Sequence, residues 1–292
     1  MELSPRNFTQ VLNSKKLVTV NFYAPWCGHC QRLAPEWKKV ARSLAGIVTM
    51  ASVNCDDDHN KPLCEEHGIK GFPTVKIFRP SLNKKGMRIR KTSEYLGPRD
   101  ARPLKDRLLN LLPSNVQLIK GVVSKAKSKE TVSLDAFLGK GNSTLTKVIL
   151  FSNKLSTIPP YKALSLDFED GNLLMGVVKR SDKHVINALG IDNVPALLVI
   201  TPGEERRHLI YNGKLKYLPL HDYLSPFANE PTESSNRNDR STHPSNSVSG
   251  LLINSTVMKS GADKVPRKLI ISDDVLVKAV HDPKCMPVHD EL

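Results

Sequence analysis

Cys27 and Cys30 stand three residues apart in Trp26-Cys27-Gly28-His29-Cys30, between an apolar run from Leu17 to Ala24 and a run of helical periodicity from Gln31 to Leu44. Two thiols at that spacing in a first helical turn share one face and lie within disulfide reach. The first of them meets unpaired backbone N–H groups and the positive end of the helix dipole, which favour a thiolate over a thiol. An ordinary cysteine of pKa ~8.5 is about 3% ionised at pH 7, whereas one lowered to roughly 6 is about 90% ionised. The chemistry open to the pair is thiol–disulfide exchange with Cys27 as nucleophile. When the pair is oxidised, a client thiolate attacks Cys27 and Cys30 leaves; when it is reduced, Cys27 attacks a wrong client disulfide and Cys30 frees it. A charged His29 imidazole between the sulfurs would favour the Cys27 thiolate, and so the dithiol over the disulfide. Gly28 lets a client backbone approach closely.

The same pair could be half of a zinc site, or an inert structural disulfide. Zinc needs a second pair, and Cys55 and Cys64 are nine residues apart without zinc-knuckle spacing. No metal and no cofactor are therefore expected. Cys55 and Cys64 read as a structural disulfide across a short loop, with a second redox pair as the alternative. Cys285 is odd in number, a free thiol or an intermolecular partner.

The elements that must hold these residues alternate in type. Ser4 caps a helix that begins at Pro5 and carries Phe8, Val11 and Leu12. Leu17 to Ala24 reads as a central strand, and the helix after the cysteines carries Leu33, Trp37, Val40 and Leu44, with a kink at Pro35. Strands at Ile47 to Asn54, Val75 to Phe78 and Lys91 to Leu96, a short helix at Asp58 to His67 and an amphipathic helix at Asp100 to Leu112 complete an α/β unit over residues 1–113. From Val132 onward the order repeats in outline, ending in a helix from Tyr217 to Phe227, so residues 114–228 read as a second unit of the same kind. Where the first unit has its cysteines, the second has Ser152-Asn153-Lys154, so it has no dithiol chemistry and serves to bind clients or as a scaffold. Residues 229–292 read as a flexible, largely disordered tail, with apolar bursts between Leu251 and Val288 that leave partial docking open.

The 292-residue chain carries 43 Lys and Arg against 29 Asp and Glu. The excess is scattered, as in Lys84-Lys85 and Arg88 to Lys91, without the interleaved aromatics of a single-strand-binding face, so no nucleic acid is expected. No apolar run approaches the ~20 residues that span a bilayer, and because Met1 to Pro5 leads into a capped helix, no signal peptide is expected in this stretch. His289-Asp290-Glu291-Leu292 reads as the receptor-read address for retention in the endoplasmic reticulum, with the HDEL receptor as a partner. Asn7, Asn142 and Asn254 open sequons suited to that lumen.

Phe22-Tyr23-Ala24-Pro25-Trp26-Cys27-Gly28-His29-Cys30, followed by Gly71-Phe72-Pro73-Thr74, resembles the catalytic thioredoxin domain of protein disulfide isomerases over roughly residues 3–112. With the second unit and the terminal address, the chain is similar to small fungal members that have one catalytic domain. The resemblance implies two tandem thioredoxin-like domains, the first catalytic. It implies oxidation and reshuffling of disulfides in unfolded or misoxidised secretory proteins in the lumen of the endoplasmic reticulum, with a thiol oxidase or glutathione as redox partner. It further implies a cis Pro73 opposite Cys27, client contacts at Trp26 and the Phe72 backbone, and an Arg99 able to turn toward the second cysteine. Arg99 reads equally as a solvated residue at a helix start.

Two positions depart from the family. A buried acid usually stands where this chain has Asn21, and a lysine often stands at Ser52. An amide accepts no proton at pH 7. Release of mixed disulfides by Cys30 is therefore expected to be slow or to use water, unless Asn21 is only a tolerated strand residue. The alternative to an enzyme is a chaperone or thiol-dependent escort that holds clients covalently.

Overall fold

The computed structural model describes residues 1–83, 85, 87–121, 131–141, 144–203 and 207–229. Its first sheet is built on β1 (Leu17–Tyr23), which pairs in parallel with β2 (Val48–Asn54) and antiparallel with β3 (Thr74–Leu82). β3 turns into β4 (Arg88–Glu94), giving the order β2-β1-β3-β4. β1 is buried along its length up to Tyr23 because it lies between two strands and under helices on both faces.

Alternation along β1 decides what each face meets. Val18, Val20 and Phe22 pack with Leu3, Ala51, Val53, Phe78 and Phe8 of α1 (Pro5–Leu12). Leu17 points the other way, into a cluster with Leu33 and Trp37 of α2 (Gly28–Ser43) and Leu104 and Leu108 of α4 (Ala101–Leu111). Asn21 and Tyr23 share that second face by the same alternation. α3 (Lys61–Glu66) carries Leu63 and Cys64 into the first cluster.

The β3–β4 hairpin extends beyond the predicted strands, Val75 to Phe78 and Lys91 to Leu96. Past Phe78, β3 pairs with β4 alone, so Pro80, opposite Arg90, loses no bond to β1. Beyond the other edge, Glu2 bridges in parallel to Ser52, with Leu3 N donating to Ser52 O at 2.8 Å and Ser52 N to Met1 O at 2.9 Å.

The second sheet comprises β5 (Gln117–Lys120), β6 (Thr131–Ser133), β7 (Thr146–Ser152), β8 (Leu173–Lys179), β9 (Ala196–Ile200) and β10 (His208–Tyr211), in the order β10-β9-β7-β8-β5-β6. Its helices are α5 (Leu134–Gly139), α6 (Pro159–Asp167), α7 (Lys183–Ala188) and α8 (Tyr217–Asn229). β7 repeats the role of β1, being buried throughout, parallel to β8 and antiparallel to β9. A cis X–Pro bond stands at the same place in both units, Phe72-Pro73 ahead of β3 and Val194-Pro195 ahead of β9. The expectation of two α/β units of one kind is thus met, and β5, β6 and α5 are additions that sequence reading missed.

Tyr161 of α6 is fully buried, with its hydroxyl 2.8 Å from Val148 O and 2.9 Å from Gly176 O. It ties α6 to β7 and β8 at once. Tyr161→Phe keeps the ring and removes the hydroxyl, so urea unfolding is expected to show a loss of about 1 kcal/mol. An unchanged midpoint would mean that the hydroxyl contributes nothing net.

Lys16, before β1, joins the two units. Its Nζ donates to Gly46 O at 2.9 Å and to the Tyr217 hydroxyl at 2.8 Å, and lies 3.4 Å from Asp167 Oδ1. Tyr217 in turn donates to Asp167 Oδ2 at 2.7 Å. Gly46 has φ +80°, and a Cβ there would sit 2.1 Å from the Tyr217 ring, so both backbone and contact call for glycine. The apolar cluster under α2 and α4 continues into the second unit through Tyr217, Leu220 and Leu224 of α8. No helix among the described residues is long and apolar enough to cross a membrane. Asn142, Asn254, Cys285, His289 to Leu292 and the proposed flexibility of the tail lie outside the described residues.

Candidate active site

α2 begins three residues earlier than the predicted helix, at Gly28, and this places the sulfurs. Cys27 is its N-cap, with extended backbone, and Cys30 lies inside the first turn. Cys27 N donates to Ala24 O at 3.2 Å and Gln31 N to Cys27 O at 3.0 Å, so the turn between β1 and α2 is closed from both sides. Cys27 is half-buried and Cys30 is 4% exposed, and both are free thiols.

Their surroundings push them apart in acidity. The Cys27 thiol is held below its ordinary value, first by the Cys30 backbone N–H, with the Cys30 thiol, the His29 N–H and the Arg99 charge adding to it against partial desolvation. Burial pushes the Cys30 thiol up to about 11, with help from Cys27. One thiol is set up to attack and the other is kept protonated until called on. The sign for Cys27 is that a lowered pKa keeps the thiolate populated as pH falls below the usual cysteine value. Its alkylation by iodoacetamide, followed by mass spectrometry, is therefore expected to stay fast below pH 8.5 and to decline only through the lowered pKa. A midpoint at the value of an unfolded-chain cysteine would contradict this.

His29 differs from the expectation. Its imidazole is exposed, and Arg32 Nη2 lies 2.8 Å from its Nδ1. A guanidinium only donates, so that nitrogen accepts and carries no proton in this arrangement. What His29 gives the Cys27 thiolate is its backbone N–H, while its ring lies beside Arg32 on the exposed side of the helix. A Cβ at Gly28 would meet only Arg32 Nη1, at 3.8 Å, so packing within the chain does not require glycine there, and the expectation that it admits a client backbone is a separate matter.

The cis Pro73 is buried opposite the thiols, and Cys27 Sγ lies 3.5 Å from Phe72 O. Trp26, 67% exposed, packs edge-on to Phe72 with ring centroids 6.1 Å apart. Its indole Nε1 donates to Asp56 Oδ1 at 2.9 Å. Asp56 follows Cys55, which is bonded to Cys64 with Cα atoms 6.0 Å apart. The disulfide loop thereby supplies the acceptor that orients the exposed indole. Arg99 is exposed, and its charge acts on both cysteines. The turn that carries it is pinned to α2, because Glu36 Oε2 accepts from Ala101 N at 2.8 Å. Asp56, Glu36 and Arg32 escaped sequence reading, since their only signal is a partner distant in the chain or one helical turn away.

Asn21 is 6% exposed, and Ser52 lies directly opposite it in register. Asn21 Oδ1 accepts from no group among the described residues. Asn7, a sequon residue, is in the first turn of α1 with its Oδ1 2.9 Å from Ser4 N, serving as part of the cap. Ser152 ends β7 in the second unit, with Lys154 N donating to its Oγ at 3.1 Å. Among the described residues, no three His, Cys, Asp or Glu side chains gather as metal ligands would.

A dithiol at the start of a helix after a central strand, faced by a cis-proline ahead of an antiparallel strand, defines the thioredoxin class of domain. Residues 1–108 match the family model described as Thioredoxin. Residues 1–108 are thus a thioredoxin domain, and the chain is similar to proteins named protein disulfide-isomerases. It is 37% identical over 231 residues to a Dictyostelium discoideum protein provisionally named a protein disulfide-isomerase, covering 78% of this chain and 52% of that one. Protein disulfide-isomerase MPD1 of Saccharomyces cerevisiae is 34% identical over 177 residues, 57% of this chain and 52% of its own length. Protein disulfide-isomerase A6 of Homo sapiens is 42% identical over 113 residues, 38% of this chain and 24% of its own. The chain thus spans about half the length of the first two relatives.

Proposed function

We propose that this chain is a thiol–disulfide oxidoreductase and isomerase that forms and rearranges disulfides in unfolded or misoxidised secretory proteins. The observation that carries this reading is the opposed acidity of the pair, an accessible Cys27 thiol held low over a buried Cys30 thiol raised to about 11. Trp26 and the Phe72 backbone receive an extended client segment, Pro73 shapes that edge, and Arg99 adds positive charge when either sulfur is ionised. Residues 1–113 are the catalytic unit, 114–228 the non-catalytic one, and 229–292 the tail with the retention address. A thiol oxidase or glutathione recharges the disulfide. The lumen of the endoplasmic reticulum suits the buried Cys55–Cys64 disulfide, which belongs in an oxidising compartment, and the address His289 to Leu292.

The test is reactivation of a scrambled disulfide substrate by the full chain in a glutathione buffer. Recovery of the substrate's own activity at a rate proportional to added protein supports the reading, and recovery no faster than in buffer overturns it. A covalent escort is the second reading, and the high Cys30 value favours it, since little Cys30 thiolate exists at pH 7 to release a client. An escort would accumulate mixed disulfides and leave the scrambled substrate unrescued.

A further inference from the structure

Release of a client requires Cys30 to lose its proton, and the residue set between α2 and the sheet determines where that proton goes. Asn21, in β1 on this face, cannot take it. Ser52 beside it is a hydroxyl and is equally unable at neutral pH. The next position in the same row is an acid. Glu2 bridges to Ser52 in parallel register, and partners in register place their side chains on the same face of a sheet. The neighbouring Leu3 packs into the opposite cluster with Phe8 and Val18, which fixes Glu2 on the face that α2 covers. A row Glu2–Ser52–Asn21 therefore crosses the sheet from its edge to the strand beneath Cys30, with Tyr23 two residues along on the same face.

The row grades from water to interior. Glu2 is exposed, Tyr23 half-buried, and Asn21 and Cys30 buried. Tyr23 is where the two ends meet electrically, because the charges of Glu2 and Cys30 both act on its phenol, adding to burial in holding its pKa above the ordinary value. Although Glu2 stands at the exposed edge, partial desolvation of its carboxyl raises it above its ordinary value, against the opposing charge of the Met1 amino group, moving it toward the pH at which it can exchange a proton. The other charged or titratable groups acting on this layer are Cys27 on α2, Arg99 ahead of α4 and the amino group of Met1 beside Glu2.

We propose that Glu2 is the proton acceptor for Cys30, reached through the Tyr23 hydroxyl along the row it forms with Ser52 and Asn21. In the resolving step the Cys30 proton passes to the Tyr23 oxygen as the phenolic proton passes to the Glu2 carboxylate. The Cys30 thiolate then attacks Cys27 Sγ, the Cys27–client S–S bond breaks, and the client leaves as a thiolate. No outside oxidant or reductant is needed, and Glu2 returns its proton to water at the exposed edge. Glu2 does not touch the reacting sulfurs and is a positioning residue for the proton. The proposal rests on the oxidoreductase reading above.

The experiment is a stopped-flow measurement of client release from a mixed disulfide formed with a fluorescent peptide, using the full chain across pH 4–9. Glu2→Gln is expected to slow release by on the order of 100-fold at pH 7, within the range a positioned proton acceptor contributes. It is also expected to remove the lower inflection of the pH profile, which a purely structural role would leave in place. Glu2→Asp, which keeps the acid, is expected to retain the inflection at a reduced rate. Cys27 alkylation should be unchanged in both, showing that the site is folded. Release by Glu2→Gln at the parent rate and with the parent pH profile overturns the proposal while leaving the oxidoreductase reading intact. Failure of the parent chain to form any mixed disulfide overturns both.

Discussion

Cys27→Ser is expected to reduce thiol–disulfide exchange by this chain to the uncatalysed background, while Cys30→Ser keeps the first step and arrests the second. The reason lies in the inequality of the two sulfurs. Cys27 sits at the N-cap of α2, where the Cys30 N–H favours its thiolate, and it is the less buried of the two sulfurs. Serine there offers a hydroxyl that is not ionised at neutral pH and forms no disulfide. Cys30 is buried beneath it with a pKa of about 11, so it attacks only once Cys27 is already bonded to a client. Removing it leaves that client attached, and non-reducing electrophoresis should show the adduct building up on Cys30→Ser and absent from Cys27→Ser. Equal adduct on both variants would show that the assignment of nucleophile and resolving thiol is wrong.

Removing the Cys55–Cys64 bridge should have the largest effect on stability. The two residues are nine apart in sequence, and closing so short a loop contributes about 2–3 kcal/mol through the unfolded state. Both sulfurs are buried within the cluster of Leu3, Phe8, Val18 and Phe22, so the double variant Cys55→Ser and Cys64→Ser also places two hydroxyls in apolar surroundings. For a chain of this size the thermal midpoint should drop by roughly 5–10 °C. The variant should also loosen Trp26, because Asp56, the acceptor for its indole, follows Cys55 directly. Tryptophan fluorescence near the active turn is expected to change well below the melting temperature. A midpoint within a degree of the parent would show that the bridge adds no net stability.

How much of this was legible beforehand varies by residue. Cys27 and Cys30 were legible because strand, turn and helix all lie within one local stretch, and a three-residue spacing carries its own geometry. β1 and β7 announce themselves by their density of apolar residues, Leu17, Val18, Val20 and Phe22 in the first and Val148 to Phe151 in the second, as burial on both faces favours. β5 and β6 could not be read, being four and three residues long with no periodicity, and they become strands only because β8 is there to pair with β5. The role of Glu2 was hidden for the same reason, since its position depends on a bridge to Ser52, fifty residues away. His29 shows the converse. Its place between the cysteines suggested a cationic imidazole, but Arg32, one helical turn along on an exposed face, takes its ring instead. Spacing along the chain says which groups are neighbours and leaves open which way a mobile side chain turns.

The Lys16 junction has a practical meaning for anyone wishing to isolate the catalytic half. Gly46 has no side chain and receives the face of Tyr217, while the ammonium of Lys16 is held by a phenol and a carboxylate that both belong to the other half. Truncation after residue 113 would uncap that socket and leave the lysine with the Gly46 carbonyl but without its phenol and carboxylate. The first unit is thus less a detachable cartridge than one side of a joint.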